Sequence, residues 1–378
     1  MVFGVYLWTL FLFVSISAQD FKTIQDGIEY AELERTIDKA PVRMNLLRLD
    51  LTKVRLDVMH AMDSAIGTEK TSSIAARHGA LAAINAGFFR LDTSIFAGDA
   101  AGVLKIDRKI VSEPYANRVA LFINNKPAQT EVVIDHFTNQ HSIEIKKQRI
   151  QISGLNRERK TDEIIIYTPF FFRTTLTNPD GVEIVVRKNK IRQILDRKGS
   201  SEIPADGFVI SASGKMRDEI LKSAKLGLKV RWLETFTNKM IPNGRIPAED
   251  VNKTYSTFED VTNGVPQLIK DGKIEITWEQ EKTSKAFVET RHPRTAVAKL
   301  KDGKFLMITV DGRSESSGGI GLEDLAKLLL EFGATDAMNL DGGGSTTMFL
   351  DGKVVSKPSD KEGERRVSDA ILVFPRKK

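Results

Sequence analysis

Two aspartates, each placed directly after an apolar run and directly before a glycine, are the residues of this sequence best suited to chemistry. Asp311 follows the run FLMITV at 305–310 in the segment DGRS, and Asp341 follows AMNL at 337–340 in the segment DGGGS. If the two strands are neighbours, both carboxyl groups can face one cleft. Glycoside cleavage needs such a pair, because one carboxyl group acts as acid, base or nucleophile while a differently placed one supports it. We therefore take Asp341 and Asp311 as candidate catalytic residues, with the leading role open between them.

Three consecutive glycines follow the second aspartate. Gly342, Gly343 and Gly344 precede Ser345, and Asn339 lies just before the aspartate. A chain tolerates such a run where φ is positive or where the backbone approaches a ligand closely. The spacing matches neither a P-loop nor a dinucleotide fingerprint. We expect these residues to contact a ligand, with a plain glycine-rich hairpin as the alternative.

Two further segments have residues suited to binding a phosphate. Arg294 lies in RHPRT at 291–295 and Arg313 lies in DGRS, and two arginines near a stiff turn favour bidentate phosphate recognition. We also count Arg294, with the two aspartates, among the candidate catalytic residues. The loop SESSGGIG at 314–321 leads into a predicted helix, so its free amides and the Ser314 hydroxyl could hold an anion. Glu323, in the first helical turn, is a candidate for substrate positioning, and His292 for proton donation. Surface arginines, a flexible cap loop and a structural histidine are the alternatives.

An asparagine ends another predicted buried strand, in INAGFF at 84–89. The amide of Asn85 suits a sugar hydroxyl, and it stands beside a glycine and two phenylalanines. We assign the phenylalanines to the core.

The pattern of the whole chain predicts an α+β fold, with a largely antiparallel β-sheet core flanked by helices. Val42–Leu51 and Val54–Met59 alternate as half-buried strands do, and Thr71–His78 is a predicted short helix. Apolar residues at 322, 325, 329 and 332 predict a second helix that ends at Gly333. Many short β-type runs separated by turn signals predict an inserted β-rich lobe at about residues 120–231.

Composition narrows the class of protein. The chain has 378 residues, 41% of them hydrophobic and 28% charged, which is typical of a folded enzyme. The net charge is +6 and the short basic stretches lack aromatic residues, so we predict no nucleic-acid partner. The absence of cysteine excludes disulfides and thiolate chemistry. The five histidines form no pair with the spacing of metal ligands, so the sequence identifies no cofactor with certainty. A calcium or magnesium ion held by Asp341 and Asn339 stays an alternative.

The first 18 residues indicate export. An apolar run from Val2 to Val14 leads to small residues ending at Ala18, which is typical of a signal peptide. We expect a bacterial periplasmic or secreted protein with no stable membrane span after signal cleavage. A wrongly assigned start site and an uncleaved anchor are the alternatives.

Several of these motifs together resemble the phosphodiester glycosidase family, which includes the animal N-acetylglucosamine-1-phosphodiester α-N-acetylglucosaminidase. The motifs are INAGFF, NGVPQLIKDGK, RHPRTAVA, VDGRSESSGGIGLEDLAKLLLEFGATDAMNLDGGGSTTM and RRVSDAILVF. The resemblance covers residues 26–374, which we predict to form one domain. The sequence lacks the cysteines of the animal enzyme, and Arg366 stands where relatives often have a proline or small residue, which leaves Arg366 and Ser368 uncertain as site residues.

The resemblance implies a hydrolase of carbohydrate metabolism that splits a sugar from a phosphodiester. It assigns motif positions to Asn85, Arg294, Asp311, Arg313, Asp341, the three glycines and Ser345. The partner expected from it is a small phosphoglycan or sugar-phosphodiester substrate. Two other functions stay open: a phosphoglycan-binding protein without catalysis, and a metal-dependent phosphodiesterase.

Overall fold

The computed structural model describes residues 21–115, 117–137, 139–236 and 256–376. The predicted signal peptide at residues 1–18 therefore lies outside the described residues. Within the described ranges, no helix is both long enough and apolar enough to cross a membrane.

An eight-stranded antiparallel sheet, here called the large sheet, forms the frame of the molecule. Its strand order is β1-β2-β3-β23-β22-β24-β20-β21. The first three strands form an antiparallel meander. The later strands of the chain continue the sheet from β3. The strands are β1 (Lys22–Gln25), β2 (Ile28–Ile37), β3 (Ala40–Leu49), β20 (Gln267–Lys270), β21 (Lys273–Ile274), β22 (Arg294–Leu300), β23 (Phe305–Val310) and β24 (Ala334–Asn339).

A second sheet of five antiparallel strands shares an apolar core with the large sheet. Its order is β26-β25-β6-β28-β4. The shared core contains Leu47 and Val297 from the large sheet and Val58, Ile84 and Ile371 from the second. Burial of these side chains holds the two sheets together. The strands are β4 (Val54–His60), β6 (Ala82–Asn85), β25 (Met348–Leu350), β26 (Lys353–Val354) and β28 (Asp369–Pro375).

The middle of the chain forms three further sheets, with the orders β10-β9-β19-β7-β8, β12-β11-β18 and β13-β14-β17-β15-β16. All neighbouring pairs in them are antiparallel except β13 with β14. A short ribbon pairs β5 (Glu69–Lys70) with β27 (Arg366–Val367). The strands of the three sheets are β7 (Leu104–Ile106), β8 (Lys109–Ser112), β9 (Arg118–Asn125), β10 (Thr130–Phe137), β11 (Asn139–Ile145), β12 (Gln148–Gln151), β13 (Gly154–Leu155), β14 (Ile164–Tyr167), β15 (Gly181–Arg187), β16 (Lys190–Asp196), β17 (Gly207–Ser213), β18 (Val230–Phe236) and β19 (Asp260–Asn263).

Helices are few in the described part of the chain. The two predicted ones are present as α1 (Thr71–His78) and α4 (Leu322–Glu331), and Gly333 has the positive φ of 86° expected after a helix end. The others are α2 (Gly214–Ser223) and α3 (Lys285–Glu289). The apolar face of α4 packs on the large sheet through Leu325 and Leu329.

The fold is therefore mostly antiparallel β-sheet with few helices, in line with the predicted α+β core. The lobe predicted at 120–231 is indeed rich in strands. However, β9 pairs with β19, so the start of this region belongs to a sheet that also contains later residues. That the region is an insertion stays a prediction.

Candidate active site

The two aspartates lie at one edge of the large sheet. Strands β23 and β24 flank β22 and are both antiparallel to it, so they run in the same direction and end at the same edge. The two strands are not direct neighbours, because β22 lies between them. Adjacent strands are about 4.8 Å apart, which separates the two strand axes by about 10 Å.

The backbone around Asp341 joins the large sheet to the second sheet. Its amide donates to the carbonyl of Ala86 at 3.0 Å, and its carbonyl accepts from Asn85 Nδ2 at 2.6 Å. One carboxylate oxygen, Oδ1, accepts from the amide of Gly342 at 2.9 Å. The carboxyl group is thus fixed in position at the junction of the two sheets.

The environment of Asp341 favours its protonated form more than water does. Burial raises the pKa to about 6, and the nearby Asp369 carboxylate contributes in the same direction. The Ser345 hydroxyl, the Gly342 amide and Arg365 lower it, so the group remains largely ionised at pH 7. A carboxyl group with a pKa near the working pH is suited to proton transfer.

The glycine run after Asp341 forms a tight 3-10 turn at Gly343–Ser345 before β25 begins. A methyl group on Gly342 would lie 2.7 Å from the carbonyl oxygen of Pro293. Gly343 has a φ of 61°, and a methyl group there would lie 3.1 Å from Arg313 Nη2. The glycines therefore allow the backbone to approach β22 and the Arg313 guanidinium closely.

Arg313 is the most open of the predicted phosphate-binding residues. Its side chain is 45% exposed, and its Nη1 lies 3.9 Å from Asp360 Oδ1. Arg365 makes a bidentate pair with the same carboxylate, at 2.7 and 3.0 Å. Two guanidinium groups thus share one counter-ion beside the glycine turn, and the ionised Asp341 supplies a second negative charge near Arg365.

Asp311 is in a different environment although it ends a similar strand. It is only 1% exposed, and its Oδ1 accepts from the amide of Lys357 at 3.0 Å. Its Oδ2 lies 3.9 Å from Arg43 Nε. Burial raises its pKa. The described contacts tie Asp311 to the interior, and none joins it to Asp341.

Arg294 is also buried, with 2% of its surface exposed. Its Nε donates to the carbonyl of Ile320 at 3.2 Å, and its Nη2 donates to those of Phe287 and Thr290 at 2.7 and 2.8 Å. These bonds satisfy carbonyl groups at the end of α3. Burial lowers the pKa of Arg294 to about 10.

The two predicted asparagines are buried and have backbone partners. Asn85 Oδ1 accepts from Thr295 Oγ1 at 2.8 Å and from the amide of Thr347 at 3.1 Å, in addition to the bond to Asp341. Asn339 Nδ2 donates to the carbonyl of Val265 at 2.7 Å. Both side chains position the strand ends around the glycine turn.

The loop from Ser314 to Gly321 folds on itself. The Ser314 hydroxyl accepts from the amide of Ser317 at 3.2 Å. This amide, one of those predicted to bind an anion, therefore already has a partner within the loop. Glu323 is exposed in the first turn of α4, and no described contact joins it to the glycine turn. His292 lies near Arg294 and Arg313, and burial, followed by these two charges, lowers its pKa.

Three residues of this site were not among the sequence candidates: Arg365, Asp360 and Asp369. Asp369 is fully buried at the start of β28 and accepts from Thr262 Oγ1 at 2.7 Å and from Ser368 Oγ at 2.6 Å. Its signal was present in RRVSDAILVF, where an aspartate directly precedes an apolar strand. That motif also contains Arg365, one position before the arginine we considered.

Comparison with known families identifies the family of this chain. The family model for phosphodiester glycosidase matches residues 171–374, which is more than half of the chain and includes the glycine turn and both aspartates. The chain belongs to the phosphodiester glycosidase family.

Parts of the chain are similar to curated proteins of animals and bacteria. The chain is 36% identical over 145 residues to the N-acetylglucosamine-1-phosphodiester α-N-acetylglucosaminidase of Bos taurus, covering 34% of this chain and 27% of the bovine one. It is 32% identical over 168 residues to the human protein of that name, covering 41% of this chain and 32% of the human one. The match thus spans about a third or less of these relatives. An uncharacterized protein of Rickettsia conorii is 25% identical over 63% of this chain and 77% of its own.

Solved structures share the fold of this phosphodiester glycosidase family member. A hypothetical protein from Synechocystis superimposes with a TM-score of 0.78 at 23% identity, over 94% of this chain and 63% of the other. A Burkholderia pseudomallei protein that is described as exported gives a TM-score of 0.75 at 20% identity, over 89% of this chain and 74% of the other. At these identities the similarity concerns the fold alone.

Over the described ranges, no group of three or more histidine, aspartate or glutamate side chains could hold a metal ion. A calcium or magnesium ion at Asp341 and Asn339 stays an alternative.

Proposed function

We propose that this protein is an exported hydrolase that cleaves sugar 1-phosphodiester bonds and releases a free sugar and a phosphomonoester. The observation that carries the proposal is the Asp341 carboxyl group, fixed at the glycine turn with a pKa of about 6, while Arg313 lies against the same turn at Gly343. Membership of the phosphodiester glycosidase family supports the reaction class.

Asp341 has the leading carboxylate role in this proposal. The bond that breaks joins the anomeric carbon to a phosphate oxygen, and the phosphomonoester leaves with the electron pair. The Asp341 carboxylate either attacks the anomeric carbon or takes a proton from the attacking water. We give Asp311 a supporting role, because its described contacts are with Arg43 and the Lys357 amide and not with the glycine turn.

Arg313 binds the phosphate in this mechanism. A phosphomonoester is a good leaving group near neutral pH, so stabilising its negative charge matters more than protonating it. Arg313 is exposed and already beside the backbone of Gly343, and Arg365 adds positive charge next to it. Arg294 acts as a positioning residue, since its guanidinium group donates to three backbone carbonyls.

Most of the remaining candidate residues belong to the glycine turn or hold its backbone in place. In this proposal the backbone of the glycine turn and Ser345 contact the substrate directly. Asn85 and Asn339 hold the strand ends that carry it. Ser314 and Glu323 stay predictions for substrate contact.

The substrate class is a small phosphoglycan or sugar phosphodiester, by analogy with the names of the curated relatives. The location is the periplasm or the outside of the cell. The apolar N-terminal run supports export, as does the fold shared with a protein described as exported.

Hydrolysis of a panel of sugar 1-phosphodiesters tests the proposal directly. The panel combines N-acetylglucosamine, glucose and galactose 1-phosphates esterified to an alkyl or a nucleotide group, and free sugar and phosphomonoester are measured separately. Glycosides of the same sugars without phosphate serve as control substrates. We expect turnover of at least one phosphodiester, none of the plain glycosides, and loss of turnover in Asp341→Asn.

Two outcomes would redirect the assignment. Saturable binding of the phosphodiesters without turnover would favour a phosphoglycan-binding protein. Turnover abolished by a chelator and restored by calcium or magnesium would favour metal-assisted phosphodiester cleavage.

A further inference from the structure

A large cavity lies apart from the glycine turn and takes no part in the proposed reaction. Its volume is about 750 Å³, which is within the range of small-molecule sites. Three segments line it: the hairpin between Arg90 and Ala101, the end of β8 with the residues to Tyr115, and the stretch from Ser153 to Glu163.

Most charges around the cavity compensate one another. Arg157 Nε donates to Glu113 at 2.6 Å, and its Nη1 donates to Glu163 at 2.8 Å. Arg90 Nη1 donates to Glu158 at 2.7 Å. All five N–H groups of Arg157 are donated to protein oxygens, so the groups left to bond to a polar ligand are carboxylate lone pairs and the remaining N–H groups of Arg90.

One carboxyl group of the lining lacks such a partner. No hydrogen bond to the Asp99 side chain is present among the described residues. Burial, with a smaller contribution from Glu113, raises its pKa to about 8, against the lowering effect of Arg157 and Arg90. Asp99 is therefore mostly protonated at pH 7 and offers both a donor and an acceptor.

An exposed aromatic ring completes the lining. Tyr115 is 56% exposed, and the Arg118 guanidinium lies 4.8 Å from its ring centroid. The exposed ring offers a ligand an apolar surface with a polar hydroxyl at its tip. An aromatic ring beside paired polar groups matches a pyranose, which has one face of C–H groups and a rim of hydroxyls.

Charged ligands fit this lining less well. The carboxyl-bearing side chains oppose an anion, and the basic group without a described partner, Lys160, is exposed. A bound metal ion is disfavoured because the described residues contain no suitable cluster. A neutral ligand rich in hydroxyl groups can bond to Asp99, to the remaining N–H groups of Arg90 and to the lone pairs of the carboxylates.

We infer that the cavity lined by Asp99, Tyr115 and Arg157 is a binding site for a neutral saccharide unit. Tyr115 packs against the apolar face of the sugar, and Asp99 exchanges hydrogen bonds with its hydroxyls. The inference does not depend on the proposed function, since none of these residues contacts the glycine turn in the described structure. The two sites are nevertheless linked by one hairpin, because Phe88 beside the candidate active site accepts from the amide of Ala101 at 2.7 Å.

Binding of neutral trisaccharides tests the inference on the folded protein without any hydrolysis. Isothermal titration with trisaccharides of glucose and of N-acetylglucosamine, neither carrying phosphate, should show saturable binding. Tyr115→Ala should weaken it by about tenfold or more, and Asp99→Leu by a similar factor. Asp99→Asn keeps a neutral donor and acceptor and should stay within about threefold of the wild type.

Phe172→Ala is the matched control, because Phe172 is an exposed aromatic residue that does not line the cavity. Its affinity should equal that of the wild type, and circular dichroism checks that all variants fold. Absence of saturable binding at millimolar trisaccharide would overturn the inference. So would equal affinities in wild type, Tyr115→Ala and Asp99→Leu, or a clear preference for a trisaccharide containing glucuronate.

Discussion

Asp311 and Asp341 end two strands of one sheet at the same edge, and burial raises the pKa of both, yet their neighbours differ. Asp341 is half-buried at the glycine turn, where it accepts from the Gly342 amide and lies near Arg365 and Asp369. After Asp311 the chain turns back, and the amide of Lys357 closes over its carboxyl group. The same local sequence pattern thus leads to two different surroundings, and we propose that the group at the glycine turn is the one used for chemistry.

The largest expected effect separates these two aspartates. Asp341→Asn should lower kcat/KM by about 10²–10⁴-fold, because the neutral amide can neither attack nor accept a proton. Asp311→Asn should lower it by less than about tenfold, since an amide oxygen can still accept from Lys357. Initial rates of phosphomonoester release, measured with the best substrate of the panel, test both variants. The reverse ranking would transfer the leading role to Asp311.

Arg313 and Arg294 can be compared in the same way, because the first is exposed and the second is buried. Arg313→Ala should lower kcat/KM by about 10²–10³-fold, because charge on the leaving phosphate loses its stabilisation. Its free energy of unfolding should stay within about 0.5 kcal/mol of the wild type, as for most exposed substitutions.

Arg294→Ala should instead lower the free energy of unfolding by about 3 kcal/mol, because three buried carbonyls lose their donors. Urea denaturation measures the stability and the same rate assay measures the activity. Equal stability of both variants would contradict the positioning role of Arg294.

A smaller effect is expected from the third glycine of the turn. A methyl group on Gly344 would lie 2.2 Å from Arg365 Nη2 and 2.3 Å from Asp360 Oδ1, so this ion pair must move. Gly344→Ala should reduce kcat/KM by about 10- to 100-fold through displacement of the charges beside Asp341. Gly318→Ala is the control, since its nearest neighbour would be 3.6 Å away. Equal rates in both variants would show that the pair does not position the site.

Much of the frame was predictable because local patterns carry it. The apolar periodicity and the acidic first turn predict α4, and the uninterrupted apolar run at 305–310 predicts β23, with bounds that the structure reproduces. The two strand-end aspartates were found because a glycine follows each of them. These signals depend only on neighbours in the sequence.

The environments of the same residues were not predictable from local patterns. Arg294 binds carbonyls of α3 and of Ile320, and Asn85 bonds to a residue 256 positions away. Such partners are set by sheet order, here by β22 lying between β23 and β24. The place of Arg365 was not predictable for the same reason, because only the fold brings it beside Gly344.

The smallest predicted effect concerns the stability cost of keeping Asp341 ionised. Its folded pKa of about 6 lies above the ordinary value of 3.8, so the folded state binds this proton more tightly than the unfolded state does. The contribution of the group to stability is therefore most favourable below about pH 4, falls as the pH rises towards 6, and stays unfavourable above it. Asp341→Asn removes the charge, so we expect a Tm a few degrees above that of the wild type at pH 8, with a smaller difference at pH 5. Thermal melts of both proteins at the two pH values provide the measurement. A lower Tm for the variant at pH 8 would mean that the bond from Gly342 outweighs the desolvation of the carboxylate, and that Asp341 resembles Asp311 more than the geometry indicates.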